Sequence, residues 1–154
     1  VMRNLRFAFE NAVAPSGFFW EAIEGRTPVA GDLRRPHTHN WHLVRRSADG
    51  LFYALLVMQH LDRTENGWAK VYNMPNGYQD SIKKVADAFV KLWRQEQQLG
   101  QFVNNHTGNI IVGGSACGSL VPGALALAAK YYVLPHYLEV AKDMMRYYDS
   151  AFIC

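Results

Sequence analysis

Cysteine is almost absent from this chain. Cys117 and Cys154 are too few and too far apart for a zinc-ligand motif or a disulfide framework, and they leave the compartment open. Charge is sparse as well: 19% of residues are Asp, Glu, Lys or Arg, and the net charge is +3. The longest basic stretches are the pairs Arg34-Arg35 and Arg45-Arg46. No run of cations tracks a phosphate backbone, so nucleic acid is not an expected partner. Nor does any stretch reach the roughly 18 apolar residues of a membrane-spanning helix, so no membrane partner is expected either. A secretory leader pattern is also missing. That absence carries little weight, because the chain begins at Val1 without an initiator Met and ends at Phe152-Ile153-Cys154 on an apolar helical pattern with no Gly or Pro stop. Both ends are expected to be cut.

Apolar residues make up 49% of the 154 and aromatics 13%, enough for one domain with a core. An aromatic excess either packs that core or lines a site that grips flat, semi-polar ligands such as sugars. Along the chain, Arg3 to Ala14 carries Leu5, Phe7, Ala8, Phe9, Ala12 and Val13 at helical spacing, and Pro15-Ser16-Gly17 ends it. Phe18 to Glu24 reads as extended, and residues 25–47 as loop.

Four helices follow. Ser47 is a suitable N-cap for Leu51 to Met58, which is apolar on every face and so expected to be buried on all sides. Residues 80–98, capped by Asp80 or Ser81, place Ile82, Val85, Ala86, Phe89, Leu92 and Trp93 on one face and Lys83, Lys84, Asp87, Lys91 and Arg94 on the other. Leu120 to Val133 is again nearly apolar all round, and residues 136–150, after an N1 proline at Pro135, are again amphipathic. Phe102-Val103 and Ile110 to Val112 flank a turn at residues 104–108 and read as a β-hairpin. The order buried, amphipathic, buried, amphipathic predicts two concentric helical layers, where a four-helix bundle would give four amphipathic helices. The long connections, residues 31–50 and 99–119, should gather at one end of such a scaffold and carry its site.

The stretches Gly113 to Ser119, Pro122 to Ala128 and Tyr137 to Lys142 resemble hairpins of the six-hairpin glycosidase superfamily, and Phe18 to Glu21 and His37 to Arg46 resemble loops of its bacterial members. The resemblance implies an all-α, (α/α)6-toroid fragment: about two helical hairpins, a leading helix and a small β-hairpin. Residues 1–154 would then be a single partial domain, partnered by the remainder of the same polypeptide and by a carbohydrate substrate. It implies a hydrolase of glycosidic bonds. The alternatives are a non-catalytic helical-repeat binding or structural protein, and a toroid polysaccharide lyase or sugar epimerase; a lyase would use a His or Tyr base, and His39 or His42 would then matter more than Asp49.

Glycoside cleavage needs a carboxylic acid and, usually, a second carboxylate. Asp49, ahead of the first apolar helix, and Glu21, after an aromatic run, are the candidate catalytic residues; Asp32 lies in the long loop. Asp49 serves equally as a first-turn acid favouring the helix dipole. Glu10, Asp62, Asp87, Glu96, Glu139 and Asp143 are expected on outer helices or the far end and are discounted as catalytic acids. Trp20, His37, His39, Asn40, Trp41, His42, Asn105 and His106 are candidate substrate-binding residues, an indole for stacking and polar groups for hydroxyls. The spacing His37-x-His39-x-x-His42 could ligate a metal, but no Cys or acid accompanies it, and neither metal nor cofactor is expected. Asn105-His106-Thr107 matches a glycosylation sequon, and Gly113-Gly114 lacks the Lys-Ser/Thr ending of a phosphate loop.

Overall fold

The computed structural model describes residues 2–24, 27–29, 38–62 and 67–152. It is mostly helical: α1 Met2–Asn11, α2 Val44–Asp62, α3 Trp68–Val71, α4 Tyr78–Glu96, α5 Val121–Tyr132 and α6 Pro135–Phe152. Five strands of three residues accompany them: β1 Ala22–Glu24, β2 Thr27–Val29, β3 Trp41–Leu43, β4 Phe102–Asn104 and β5 Ile110–Val112. β1 and β2 pair antiparallel, and β3-β4-β5 form an antiparallel sheet.

Helix α4 follows the expected stripe. It starts at Tyr78 behind Gly77, which takes a left-handed conformation (φ 70°). Asp80 therefore lies inside the first turn, where its charge favours the helix dipole, and does not cap it. The α5–α6 turn is as short as Leu134-Pro135 suggests. Its left-handed residue is Val133 (φ 56°), an unusual position for a β-branched side chain.

The layering differs from expectation. α4 keeps the wet face expected of it, with Lys84, Lys91, Arg94 and Gln95 exposed, but its other face buries nine of its nineteen residues and packs against α1, α2, α5 and α6. α2 buries one stripe, Val44, Ser47, Ala48, Leu51, Leu55, Met58 and Leu61, at helical spacing. Its other side leaves Tyr53 63% and Leu56 40% exposed. α5 buries Val121, Pro122, Ala124, Leu125 and Ala128, but Gly123 and Lys130 are exposed. The two apolar helices are therefore not enclosed on all sides here. Composition states how apolar a helix is; which faces are covered depends on its neighbours.

Residues 25–47 are less irregular than expected, since β2, β3 and the start of α2 fall among them. Ser47 lies in the first turn of α2 and is fully buried. The hairpin of residues 102–112 forms as predicted, with β3 as a third strand: Trp41 pairs with Asn104, His42 with Val103 and Leu43 with Phe102. Strand alternation sends His42 and Val103 into the core together. The sheet brings the two long connections to one place, as their lengths suggested.

Candidate functional site

Two clusters contain the chemistry-bearing residues. The first is a buried polar tie. His42 Nε2 lies 2.6 Å from Ser47 Oγ, and Ser47 Oγ also accepts the Phe19 N–H at 2.9 Å. Glu21 Oε2 sits 3.0 Å from His42 Nδ1, off the N–H axis, so this is a close polar contact and not an aligned hydrogen bond. The same Oε2 accepts the Leu43 N–H at 3.0 Å, and Arg46 reaches Glu21 Oε1 at 3.1 Å and the Glu21 carbonyl at 2.7 Å. The neutral tautomer that fits keeps its proton on Nδ1, toward the carboxylate, and accepts the Ser47 proton at Nε2.

Hydroxyl, imidazole and carboxylate in this order match the contact pattern of acyl-transfer triads. The setting does not. His42 and Ser47 are 0% exposed, and the Ser47 oxygen is occupied by a backbone donor from the preceding loop. A substrate carbonyl has no route to it. The tie fastens the residue 19–21 segment, β3 and the first turn of α2 through the Ser47 bonds to His42 and Phe19 and the Glu21 bond to Leu43. Glu21, a candidate catalytic acid from the sequence, is placed at this tie, held by the Leu43 N–H and Arg46.

Asp49, the other candidate acid, lies away from this tie. It occupies the second turn of α2, past the helix start, and pairs with Arg45 at 3.5 Å on an exposed face.

The second cluster is an open cleft of about 810 Å³ between the end of α1, the loop after it and α4. Trp20 lines it, with Glu10, Ser16, Ser81, Lys84, Asp87 and Lys91 as polar groups and Val13, Ala14, Pro15, Gly17 and Ala88 as apolar floor. Gly17 lets the loop lie on α4: at φ 91°, an added Cβ would sit 2.9 Å from the Ala88 Cβ. Trp20 is placed by its N–H, bonded to the Ala12 carbonyl at 2.7 Å. Its half-buried indole meets the His106 ring edge-on, centroids 5.8 Å apart. Asp87 is held from both sides: Lys83 donates to Oδ2 at 2.8 Å and the Tyr137 hydroxyl to Oδ1 at 2.5 Å. Burial first, then the bond to Asp87, pushes the Tyr137 phenol well above its ordinary value, so it remains a donor.

The remaining predicted residues scatter. His39 is exposed and contacts the Asn40 amide through Nε2 at 2.9 Å. Trp41 packs on Phe102, centroids 5.3 Å apart. Asn105 is fully buried; its backbone joins Asn40 and Ser16, and its side-chain amide has no hydrogen-bond partner among the described residues. A buried amide cannot accept a glycan on the folded chain, so the sequon has no structural support. His37, Asp32 and the Arg34-Arg35 pair lie outside the described residues. Among the described residues, no three His, Cys, Asp or Glu side chains gather as a metal would require, and no helix is long and apolar enough to cross a membrane.

Of the residues singled out in the sequence, Trp20 lines this cleft and His106 touches its ring, whereas Glu10, Asp87, Lys84 and Lys91, which also line it, were not singled out as site residues. The available signal was the stripe Ser81, Lys84, Ala88, Lys91, which puts small and polar residues on one face of α4. No protein-family model, curated protein or solved structure matches the chain.

Proposed function

We propose that this protein binds carbohydrate in the Trp20 cleft. The observation that carries the proposal is a half-buried indole on the wall of an open cleft whose rim holds carboxylates, ammonium groups and hydroxyls together. A sugar offers an apolar C–H face to an aromatic ring and hydroxyls that both donate and accept. A rim of mixed polarity suits it better than it suits a purely anionic or purely apolar ligand.

Glycoside hydrolysis is the favoured use of that site, because two carboxylates line it. Glu10 and Asp87, not Glu21 and Asp49, are the acids we assign to the reaction. Asp87, fixed by Lys83 and Tyr137, suits the role of oriented carboxylate; Glu10, exposed at the end of α1, suits proton transfer with solvent. The test is turnover of an aryl-glycoside panel by Glu10→Gln, Asp87→Asn and Trp20→Ala. Loss on the order of 100-fold or more is expected for either acid variant, and roughly tenfold weaker binding for Trp20→Ala. Sugar binding without turnover in the parent protein would leave the non-catalytic alternative. Unchanged binding in Trp20→Ala would refute the site.

We further infer that α2 with α4 and α5 with α6 are hairpins of a larger α/α toroid. Support comes from the exposed apolar side chains Tyr53, Leu56, Leu138 and Met145 and from packing of α2 on α5 and of α4 on α6. A groove of about 390 Å³ between α5 and α6, lined by Gly123, Ala126, Leu138 and Met145 with Lys142 and Arg146 also on its wall, has the small and large residues that helix packing uses.

A further inference from the structure

Trp20 lines a second pocket besides the cleft. This pocket, of about 290 Å³, lies between α1, α2 and α4. Its wall is apolar: Phe9, Phe19, Trp20, Ala54 and Ile82, with Arg46 the one charged residue among the described lining. Phe9 and Ile82 are core residues, so the wall is continuous with the hydrophobic core. The Phe19 ring closes over Gly50, where an added Cβ would meet it at 2.7 Å. Arg46 is already engaged by Glu21 Oε1 and the Glu21 carbonyl, which lowers its call for a ligand anion.

A polar cleft and an apolar pocket that share one indole define a ligand with two unlike halves. We infer that the protein's ligand is a glycoside with an apolar aglycone, its sugar in the cleft and its aryl or short alkyl group in the Phe9–Phe19–Ile82 pocket. This rests on the sugar-binding reading and adds the chemical class of the second half. Size fits: a cavity of about 150 Å³ holds benzene, so this pocket takes a substituted ring. Sequestering one ring from water should strengthen binding about 30-fold over the same sugar with a methyl aglycone.

The test is an NMR titration of the intact chain with paired methyl and phenyl glycosides of several hexoses, repeated with Ala54→Leu and Ala8→Leu. These substitutions fill the small pocket from α2 and from α1 without touching the cleft. The expected result is a phenyl advantage of about 30-fold that falls below about threefold in either variant, with methyl-glycoside binding unchanged. Methyl glycosides that bind with no phenyl advantage, or an advantage that survives both filled variants, would overturn the aglycone pocket and leave the sugar site standing. Binding of neither glycoside would overturn both readings.

Discussion

The buried tie and the Trp20 cleft contain similar side chains and do opposite things. Glu21, His42 and Ser47 lie within hydrogen-bonding distance in an order that catalysis uses, yet the Ser47 oxygen already accepts the Phe19 N–H, and Ser47 and His42 are sealed from water. Glu10, Ser81, Lys84 and Lys91 have no such order, yet they face an open cleft beside an aromatic ring. The comparison teaches that access, not identity, separates the two: His42 and Ser47 are closed to solvent, whereas Asp87, although bonded to Lys83 and Tyr137, still borders the open cleft.

The sharpest way to break the comparison is to remove the centre of the tie. His42→Ala leaves a cavity beside Phe18, whose ring stacks on the imidazole at 6.2 Å, and takes the Nε2 partner from the Ser47 hydroxyl. We expect a loss of about 3 kcal/mol in urea unfolding. Glycoside binding per folded molecule should be unchanged. A variant that keeps its stability but loses turnover would make the tie the active site and reverse the assignment.

The same contrast marks how far the sequence could be read. The α4 stripe, the hairpin at residues 102–112 and the Pro135 turn were legible because each is set by local periodicity or turn chemistry. β3 was not: three residues among loop-like neighbours become a strand only because β4 is there to pair with them. The exposure of Tyr53 and Leu56 was illegible for the same reason, since coverage is a property of the assembled helices. In the proposed site, Trp20 is the residue that an aromatic run in the sequence singles out. Glu10 and Asp87 look like ordinary solvated helix residues until the residue 15–20 loop folds over α4 between them. His42 looked like a loop ligand, and one strand register turned it inward.

A smaller effect, specific to the helical side of the molecule, appears in alkali. Burial, then the charge of Asp62, pushes the Tyr78 phenol up to about 12. Tyr131, Tyr132 and Tyr137 are raised further, each chiefly by burial. In the unfolded chain a phenol ionises near about 10. Between these values the folded state holds more protons, so stability is fully present below about pH 10 and falls as pH rises through the folded values. We expect the urea midpoint to drop above pH 10 as Tyr78 and the other raised phenols ionise. Tyr137→Phe should flatten the slope and also loosen Asp87 in the cleft. A midpoint flat to pH 12 would mean that these phenols are not held as described, and the argument for a fixed Asp87 would lose its support.

Smallest of all should be Asp49→Asn. The ion pair with Arg45 spans 3.5 Å between side chains 41% and 69% exposed, a geometry worth less than about 0.5 kcal/mol and screened by salt. Neither folding nor turnover should change measurably, because Asp49 lines neither the cleft nor the apolar pocket. The substitution is informative in the other direction. If Asp49→Asn abolished turnover while urea unfolding stayed the same, the exposed face of α2 would be part of a site completed by helices packed against Tyr53 and Leu56. The acids would then belong where the sequence first placed them, and the Trp20 cleft would bind without cutting.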